Sequence, residues 1–486
     1  MTNLSGVGKV RAYWMFIGGE WVGAGSAATY DVVSPASLGV VARVPRGGRV
    51  DALAAVDAAR VAFDGGVWSG LAASERANVL LKLADRVEQS ADFLALLETL
   101  QQGKPLRFSR DGDLPFAVDS IRFFASASRC LEGGVSGAGA SCVRREPVGV
   151  VGVIAPWNYP LVWAVLGAVP ALAAGNCVVL KPAGVTPLTA LELAALMSEV
   201  GVPKGAVNVV TGPGAVVGEA LVASPKVDAV TVTGEGVTGR RITELAAGTG
   251  KRVQLELGGK APFIVFDDAD LGAAAEGAVA GGFANCGQDC TAASRLYVQK
   301  PVYQSFLNLL VNRTGKLRLG NPESRDTDLG PLTSEDQRDR VEFMVRSGLG
   351  EGARLLTGGN RPKLPAPYDR GYYYEPTIFS DAEQQMRIVQ QEIFGPVLTV
   401  LPFETEKDGV EKANDGVNRL VSSVWTRDTS KATRVATELR FDRVDVNNHL
   451  PLASKMSRGD NEKSVFRKDR KPYAFDAYTQ VTVSHS

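Results

Sequence analysis

The sequence predicts an α/β protein with a doubly wound parallel sheet and a second α/β domain. A chain of 486 residues exceeds what one compact core usually supports, so at least two large domains are expected. From Val148 onward, short apolar runs alternate with stretches of helical periodicity, and this alternation starts again after Gly258. Short buried strands that alternate with helices are typical of parallel sheets covered by helices.

The predicted elements follow this division. Residues 51–102 and 115–130 are predicted to be helical, since their apolar residues recur at helical spacing. Gly103 and Pro105 separate these two stretches. The strands predicted for the first sheet are 148–154, 177–180, 207–210 and 229–232, with helices from about Leu161 and over 186–200.

A second α/β unit is predicted after Gly258. Its elements are a strand over 262–266, a long helix over 271–286, a strand over 295–298 and a helix from Pro301. Residues 363–371, rich in proline and charge, are predicted to form a surface loop. Residues 478–483 alternate in polarity, as a terminal strand does.

Composition narrows the function classes. Lysine plus arginine and aspartate plus glutamate both number 53, so nucleic acid and anionic membranes are not expected partners. The apolar stretch 148–174 is broken by Pro156, Pro160 and Pro170, which makes it a poor membrane span. Five scattered cysteines and two histidines give neither a disulfide framework nor a metal site. We therefore expect a cytoplasmic protein that acts on a small molecule.

Two residues are candidates for covalent chemistry and its base. Cys290 lies in the Gly-containing segment FANCGQDCT and can be a nucleophile once ionised, or simply a small buried hydrophobe. Cys286, four residues earlier, competes for the same role. Glu256 precedes a Gly-Gly turn in QLELGGK and can be a general base or a solvated residue at the edge of a strand.

Four strand ends carry side-chain or backbone groups suited to an oxyanion or a nucleotide. Asn158, in PWNYP, can donate to an oxyanion or cap the following helix. Lys181, in KPA, can bind a nucleotide or remain solvated. The loops 212–218 and 231–239 each join a strand to a helix, and the second offers backbone N–H groups to a pyrophosphate.

Taken in order, PWNYP, KPA, TGxxxTG, LELGGK, FANCGQDC and QEIFGPV resemble the aldehyde dehydrogenase superfamily across nearly the whole chain. The resemblance implies that Cys290 is the nucleophile of a thioester mechanism and that Glu256 activates the thiol or the hydrolytic water. It also implies an oxyanion hole made of the Asn158 amide and the Cys290 backbone N–H.

The same resemblance implies NAD as cofactor, with NADP left open because Gly184 stands where the family often has a ribose-binding glutamate. Lys181 and Glu392 are expected to hold the ribose hydroxyls. The full set of expected cofactor-binding residues is Ile154, Pro156, Trp157, Lys181, Ala183, Gly214, Gly218, Thr233, Gly234, Glu235, Leu257, Glu392 and Phe394.

Within the family the chain is most similar to aminobutyraldehyde and related aminoaldehyde dehydrogenases, through GQDCTAA, VNNHLPLAS and SRDGDLPFAVDSIRFFA. An ω-ammonium substrate favours carboxylates and aromatic faces. The expected substrate residues are Asp111, Asp113, Tyr159, Trp163, Asp289 and Thr291. Alternatively, Asp113 caps the helix near Pro115. The alternative functions are a general aliphatic or semialdehyde dehydrogenase, and a catalytically weakened homologue with a binding or assembly role.

By resemblance, residues 1–122 and 147–256 are expected to form the NAD(P)-binding domain and 257–470 the catalytic domain. A β-hairpin near 123–146, paired with a strand from 471–486, is expected to form an oligomerisation arm of a homodimer or homotetramer. The C-terminal region departs from the family pattern and can impair activity. The departures are Arg419, Asp442, Asp445, Asp460, Val465 and Arg467.

Overall fold

The computed structural model describes residues 10–131, 134–135, 141–416, 419–449 and 475–485. These residues form two seven-stranded sheets and two three-stranded sheets, together with the helices that cover them. The predicted α/β class is confirmed. Within the described ranges no helix is both long and apolar enough to cross a membrane.

The strands, in chain order, are β1 (Arg11–Ala12), β2 (Met15–Ile17), β3 (Glu20–Val22), β4 (Thr29–Val33), β5 (Val40–Pro45), β6 (Gly134–Val135), β7 (Ser141–Pro147), β8 (Val150–Ile154), β9 (Cys177–Lys181), β10 (Val207–Val209), β11 (Ala229–Gly234), β12 (Arg252–Leu257), β13 (Ala261–Val265), β14 (Ala293–Gln299), β15 (Arg354–Thr357), β16 (Thr377–Ser380), β17 (Val397–Phe403), β18 (Val421–Trp425), β19 (Arg443–Val446) and β20 (Thr479–His485).

The α-helices are α1 (Arg49–Asp64), α2 (Ala73–Gln89), α3 (Ala91–Gln102), α4 (Leu106–Phe108), α5 (Leu114–Ser128), α6 (Pro160–Ala173), α7 (Leu188–Glu199), α8 (Glu219–Ala223), α9 (Gly236–Ala247), α10 (Leu271–Phe283), α11 (Tyr303–Thr314), α12 (Glu335–Gly350), α13 (Arg387–Gln390), α14 (Glu406–Asn414) and α15 (Thr429–Glu438). Two π-helical turns, Ser109–Asp113 and Gly214–Gly218, precede α5 and α8.

The first large sheet has the order β12-β11-β8-β9-β10-β2-β3. Strands β8 to β12 run parallel, and β2 joins them antiparallel. Strand β9 is buried along its whole length because α1 and α6 both pack against it. The carboxyl ends of the five parallel strands therefore meet at one edge, where ligands of open α/β sheets bind.

The second large sheet has the order β15-β16-β17-β14-β13-β18-β19, with only β15 antiparallel to its neighbour. Alternate residues of β13 enter two separate cores: Phe263 and Val265 enter one, and Ile264 enters the other. Burial on both faces explains the continuous apolar run of this strand. The turn Gly258–Lys260 joins β12 of the first sheet directly to β13 of the second.

A small sheet of order β20-β7-β6 brings the two halves of the chain together. Strand β7 pairs antiparallel with both β6 and β20, so the expected pairing of a hairpin with a C-terminal strand is confirmed. The helix predicted over 115–130 is observed as α5, Leu114–Ser128, and the described strands of the hairpin follow it at Gly134–Val135 and Ser141–Pro147. The division of the chain into the three expected domains stays a prediction.

Candidate active site

A cavity that opens to solvent lies at the carboxyl edge of the first sheet, against the turn that precedes β14, and its empty space with the open part included is about 730 Å³. It brings together segments that are far apart in sequence, including all three residues predicted to carry the chemistry. The lining residues are Pro156, Trp157, Asn158, Trp163, Thr233, Gly234, Glu235, Glu256, Leu257, Gly258, Cys290, Thr291, Glu392, Phe394 and Leu420.

The turn that carries Cys290 begins with three consecutive residues of left-handed backbone. Asn285, Cys286 and Gly287 have φ values of 48°, 58° and 68°, which end α10 at Phe283 rather than at the predicted residue 286. Such a backbone is strained for side chains other than glycine and is typical of functional turns. A Cβ on Gly287 would lie 2.1 Å from the Gly395 carbonyl oxygen. The turn is therefore tightly fitted against the segment that follows α13.

The two competing cysteines occupy different environments. Cys286 is 2% exposed in a core of the second sheet, and burial raises the pKa of its thiol to about 12. Cys290 is half-buried and lines the cavity. Of these two thiols, the one that a substrate in the cavity can reach is Cys290.

Asn158 lies beside the turn that carries Cys290 and does not cap α6. Its amide Nδ2 donates to the Gln288 carbonyl oxygen at 3.2 Å, whereas Tyr159 occupies the N-cap position without a side-chain cap bond. Asn285 Nδ2 donates to the same carbonyl at 3.2 Å, and the Thr333 N–H donates to Gln288 Oε1 at 2.9 Å. An amide donor is thus held at the residue two positions before Cys290.

Glu256 lies at the end of β12. The two glycines that follow this strand allow it to approach both the Glu392 segment and the turn that carries Cys290. A Cβ on Gly258 would lie 2.2 Å from Glu392 Oε2, and a Cβ on Gly259 would lie 2.7 Å from the Cys290 carbonyl oxygen. The Gly259 N–H donates to Glu392 Oε1 at 3.1 Å. The glycines of LELGGK therefore place the Glu256 strand between the Glu392 carboxylate and the nucleophile turn.

The electrostatics of the site keep the thiol protonated. Burial, followed by the charges of Asp289, Glu392 and Glu256, raises the pKa of Cys290 well above its ordinary value. Burial also raises the pKa of Glu392 to about 7, against the N–H of Gly259 and nearby cations. A thiol in this environment needs a base to become a nucleophile, and carboxylates are the candidate bases that line the cavity.

The start of α9 forms the other end of the cavity. Thr233, Gly234 and Glu235 lead into this 12-residue helix, whose first N–H groups are an anion-binding feature. The Glu235 carboxylate accepts from Arg340 of α12 at 2.8 Å. Arg340 also donates to the Glu392 carbonyl oxygen at 3.1 Å, so this guanidinium links the start of α9 to the segment before β17.

The rings of Trp157 and Phe394 meet edge to face across the cavity, with centroids 5.2 Å apart. Trp157 follows β8, and Phe394 follows α13 with a left-handed φ of 59°. Pro156 and Leu257 line the same space. The cavity wall between the two large sheets is therefore apolar and aromatic, as flat heterocyclic ligands require.

The five remaining cofactor candidates lie outside the lining of this cavity, at the ends of β8 and β9 and near α8. A Cβ on Gly218 would lie 3.4 Å from Ile154 Cδ1 and 3.9 Å from Lys181 Cδ, so these three residues form one group. Lys181 Nζ donates to the Pro182 carbonyl oxygen at 2.8 Å, and burial lowers its pKa to about 8. The other two candidates are Ala183, in the partly buried loop after β9, and Gly214, which has open space around a Cβ.

These features suit a dinucleotide. A buried ammonium at Lys181 has a backbone carbonyl as its partner, and a buried carboxylate at Glu392 can accept from hydroxyl groups. Gly234 and Gly214 have no atom within 4 Å of an added Cβ, which leaves room for a ligand to approach the backbone.

The six predicted substrate residues divide into three groups. Trp163 and Thr291 line the cavity. Tyr159 and Asp289 are buried behind it and bonded to each other, the hydroxyl donating to Asp289 Oδ2 at 2.7 Å. The third group, Asp111 and Asp113, lies outside the lining.

Asp113 is fully enclosed, and Asp111 is exposed on the π-helical turn. Lys104 Nζ donates to Asp113 Oδ2 at 2.5 Å, and burial raises the pKa of Asp113 to about 7. Asp113 occupies the N-cap position of α5 without a side-chain cap bond, so the capping alternative is not what is observed. A role of either aspartate in binding substrate stays a prediction.

Two lining residues were missed by sequence reasoning. Gly258 lies in a motif that was assigned to a turn, and Leu420, which immediately precedes β18, has no polar group of its own that would single it out. Among the C-terminal departures, the Asp442 N–H donates to the Arg419 carbonyl oxygen at 3.0 Å, and Asp445 pairs with Arg443 at 2.7 Å. Asp460, Val465 and Arg467 lie outside the described residues.

Comparison with known proteins adds the family. The model of the aldehyde dehydrogenase family matches residues 21–483. A betaine aldehyde dehydrogenase of Bacillus subtilis is 42% identical over 96% of this chain and 96% of its own length. Acetaldehyde dehydrogenase 2 of Cupriavidus necator is 38% identical over 97% of this chain and 94% of its own. The crystal structure of a Staphylococcus aureus betaine aldehyde dehydrogenase in complex with NAD+ is 36% identical, with a TM-score of 0.90 over 97% of this chain and 94% of that one.

Proposed function

The chain belongs to the aldehyde dehydrogenase family, and we propose that it oxidises an ω-aminoaldehyde such as 4-aminobutyraldehyde to the carboxylate through a thioester on Cys290. NAD-dependent oxidation of an aldehyde follows from this membership and from the similarity to a betaine aldehyde dehydrogenase in complex with NAD+. The assignment of roles to individual residues and the choice of substrate are the proposal.

The observation that carries the proposal is the meeting of Cys290, Glu256 and Asn158 around one cavity. These residues come from the turn before β14, the end of β12 and the segment before α6. A nucleophile, a base and an amide donor that converge on one enclosed space are the groups that acyl chemistry requires.

In the proposed mechanism, Glu256 accepts the thiol proton of Cys290, directly or through water, because the free thiol is protonated at neutral pH. The thiolate sulfur bonds to the aldehyde carbon. The Asn158 amide and the Cys290 backbone N–H donate to the oxygen as it becomes negative. In the second half, Glu256, which has passed the thiol proton to solvent, removes a proton from the water that attacks the thioester carbon, and Cys290 leaves as the thiolate.

NAD supplies the acceptor for the hydride when it is bound. The residues proposed to hold it are those of the α9 start and the β9 end, together with Glu392 and the aromatic pair Trp157 and Phe394. Glu392 is partly enclosed and is kept against the Gly258–Gly259 backbone. Its oxygens are thus suited to accept from ribose hydroxyls.

A cationic aldehyde is favoured by the charges around the cavity. The Glu256 carboxylate lies among its described lining residues and no lysine or arginine does, whereas Glu235 is paired with Arg340 and Glu392 is assigned to the cofactor. Trp163 adds an aromatic face that attracts an ammonium group. The similarity to betaine aldehyde dehydrogenases supports the same class of substrate.

A general aliphatic or semialdehyde dehydrogenase is the second candidate. It is favoured by the 38% identity to acetaldehyde dehydrogenase 2 of Cupriavidus necator and the 40% identity to a phenylacetaldehyde dehydrogenase of Pseudomonas fluorescens. The Glu256 carboxylate at the cavity wall disfavours anionic semialdehydes within this candidate.

Formation of NADH, followed by absorbance, tests the proposal with 4-aminobutyraldehyde, propionaldehyde and succinic semialdehyde. We expect the highest kcat/KM for 4-aminobutyraldehyde. Cys290→Ala should abolish turnover, Glu256→Gln should lower kcat about 100-fold or more, and Cys286→Ala should serve as the matched active control. Full activity of Cys290→Ala would exclude the mechanism. An absence of turnover on every aldehyde, with NAD or NADP, would favour the catalytically weakened homologue.

A further inference from the structure

The carboxylate of Asp289, the residue before Cys290, has both of its oxygens engaged inside the protein. Oδ2 accepts from the Tyr159 hydroxyl at 2.7 Å. Oδ1 accepts from the N–H and from the hydroxyl of Thr291, each at 2.8 Å. Asp289 is 2% exposed and Tyr159 is 4% exposed. The Asp289 carboxylate therefore binds Thr291, the residue after Cys290, and at the same time accepts from Tyr159, which is distant in the sequence.

The partner of this carboxylate is next to the proposed oxyanion donor. Tyr159 directly follows Asn158, whose amide donates to the Gln288 carbonyl oxygen at 3.2 Å. Two adjacent residues before α6 thus contact two adjacent residues before Cys290. These bonds fix the segment that carries Asn158 relative to the turn that carries the nucleophile.

We propose that Asp289 and Tyr159 are positioning residues, which hold the Asn158 amide and the Cys290 backbone N–H in register as the two donors of the oxyanion hole. The inference rests on the proposed roles of Cys290 and Asn158. Donors to an oxyanion act only when they are placed in advance to within a fraction of an ångström, and misplacement by about 1 Å lowers rates about 100-fold. In this arrangement Asp289 does not contact the substrate.

Neighbouring groups hold both Tyr159 and the turn that carries Asp289. The Lys104 ammonium lies 4.1 Å from the centre of the Tyr159 ring, which keeps the ring in place. At the other end, His449 Nε2 donates to the Thr291 carbonyl oxygen at 2.7 Å, since a carbonyl can only accept. The Ser423 hydroxyl bonds His449 Nδ1 at 3.0 Å. The turn is thus fixed on both sides of Cys290.

The charge of Asp289 opposes ionisation of the thiol, so its benefit has to be geometric. Next to burial, this carboxylate is the largest cause of the raised pKa of Cys290. Glu392 and Glu256 raise the pKa in the same direction. Removing the charge of Asp289 should therefore lower the pKa of the thiol while it loosens the turn. A lower thiol pKa favours reaction and a looser turn slows it, so the two effects on the rate have opposite signs and can be separated by experiment.

The test uses Asp289→Ala, Asp289→Asn and Tyr159→Phe in the full-length enzyme, with Tyr374→Phe as the matched control. Tyr374 is buried and its hydroxyl also donates one hydrogen bond, to the Gly359 carbonyl oxygen at 3.0 Å, away from the cavity. Two quantities are measured: kcat and KM for propionaldehyde and 4-aminobutyraldehyde, and the pH profile of Cys290 alkylation by iodoacetamide.

We expect Asp289→Ala to lower kcat about 10- to 100-fold on both aldehydes by the same factor, with little change in KM. Asp289→Asn should recover part of this loss, because its amide oxygen can still accept from Thr291. Tyr159→Phe should lower kcat about tenfold. The alkylation profile should move to lower pH in both Asp289 variants and stay in place in Tyr374→Phe.

A loss confined to KM for 4-aminobutyraldehyde would instead make Asp289 a substrate-binding carboxylate and overturn the inference. Unchanged kcat in Tyr159→Phe would overturn it as well. If Asp289→Ala does not fold, as judged by thermal unfolding, Tyr159→Phe carries the test, since it removes a single oxygen atom. The alkylation profile needs no turnover. Failure of the proposed function is recognised separately, by an active Cys290→Ala.

Discussion

A single glycine, Gly258, keeps the proposed cofactor carboxylate in place. A Cβ at this position would lie within 2.7 Å of all three atoms of the Glu392 carboxyl group, the nearest being Oε2 at 2.2 Å. Gly258 is not among the glycines with a left-handed φ, so the requirement is for space rather than for a special backbone. Gly287 differs, because it has a φ of 68° and a Cβ there would also lie 2.1 Å from the Gly395 carbonyl oxygen. The three atoms nearest to a Cβ on Gly258 all belong to Glu392.

Gly258→Ala should weaken cofactor binding without unfolding the protein. The added methyl group displaces the Glu392 carboxylate and the bond that it accepts from Gly259. The loss of one such bond corresponds to roughly a tenfold higher Kd for NADH, measured by fluorescence titration. Gly248→Ala is the control, because no atom lies within 4 Å of its added Cβ. An unchanged Kd in Gly258→Ala would contradict this role of Glu392.

Residue identity alone could indicate Cys290, Glu256 and Asn158, but it could not separate the aspartates. Asp111, Asp113 and Asp289 were grouped as carboxylates for an ammonium substrate. Asp289 is bonded to Tyr159, which is 130 residues away, and Asp113 is paired with Lys104. An aspartate whose carboxylate has two internal partners and an aspartate that faces solvent are the same letter in a sequence. The difference depends on contacts that only the folded chain makes.

At the scale of elements, α3 and the start of α5 enclose a buried charged cluster. Lys104 lies 2.5 Å from Asp113 and 3.8 Å from Glu98, and none of the three side chains is more than 2% exposed. Burial raises the pKa of both carboxyls, that of Asp113 to about 7. Gln101 and Thr189 also donate to Glu98. Lys104 is thus the cation that compensates this cluster and, through its contact with Tyr159, connects it to the nucleophile turn.

Lys104→Met should lower the free energy of unfolding by about 3–5 kcal/mol near pH 8, because it leaves buried carboxylates uncompensated. A carboxyl whose folded pKa is raised contributes stability that is lost as pH rises through that pKa. The deficit should therefore be small near pH 5, where Asp113 is protonated, and develop above about pH 7. Urea unfolding at both pH values measures it.

The matched control is Lys204→Met, which breaks an exposed pair with Glu20 whose side chains are 73% and 66% exposed. A change within about 1 kcal/mol is expected there. Equal effects of the two lysine variants would show that the buried cluster does not depend on Lys104.

Strands could be predicted from the sequence where both of their faces are buried. The strands β8, β9, β10 and β13 are enclosed on both faces and therefore appear as apolar runs. The strands β3 and β4 near the N-terminus are short and half-exposed, so they leave no such run and were not predicted.

At the scale of the whole molecule, the proposed active site lies where the two large sheets meet. The turn Gly258–Lys260 connects them covalently, and the cavity is closed by pairs that cross from one to the other. Arg340 of α12 pairs with Glu235 before α9, and Phe394 meets Trp157 after β8. A change in the relative position of the sheets would alter the proposed cofactor contacts and the Cys290 environment together.

The third sheet is joined to this framework at its C-terminal strand. Asn176 Nδ2 donates to the Tyr478 carbonyl oxygen at 3.0 Å, and Arg252 donates to the Thr479 carbonyl oxygen at 2.5 Å. Strand β20 therefore has a fixed place beside the first sheet, although it comes from the end of the chain. In the described part of this sheet, β20 and β6 are the edge strands.

An edge strand with exposed apolar side chains favours pairing with a second copy of the chain. Val481 of β20 is 60% exposed. We expect sedimentation velocity to give a dimer or tetramer for the unmodified protein and a smaller species for Val481→Asp, because a buried unpaired charge opposes association. Val61→Asp, at a valine 73% exposed on α1, is the control and should leave the assembly unchanged. If the Val481→Asp variant forms an assembly of the same mass as the unmodified protein, β20 is not part of the interface. A monomeric unmodified protein would exclude assembly itself.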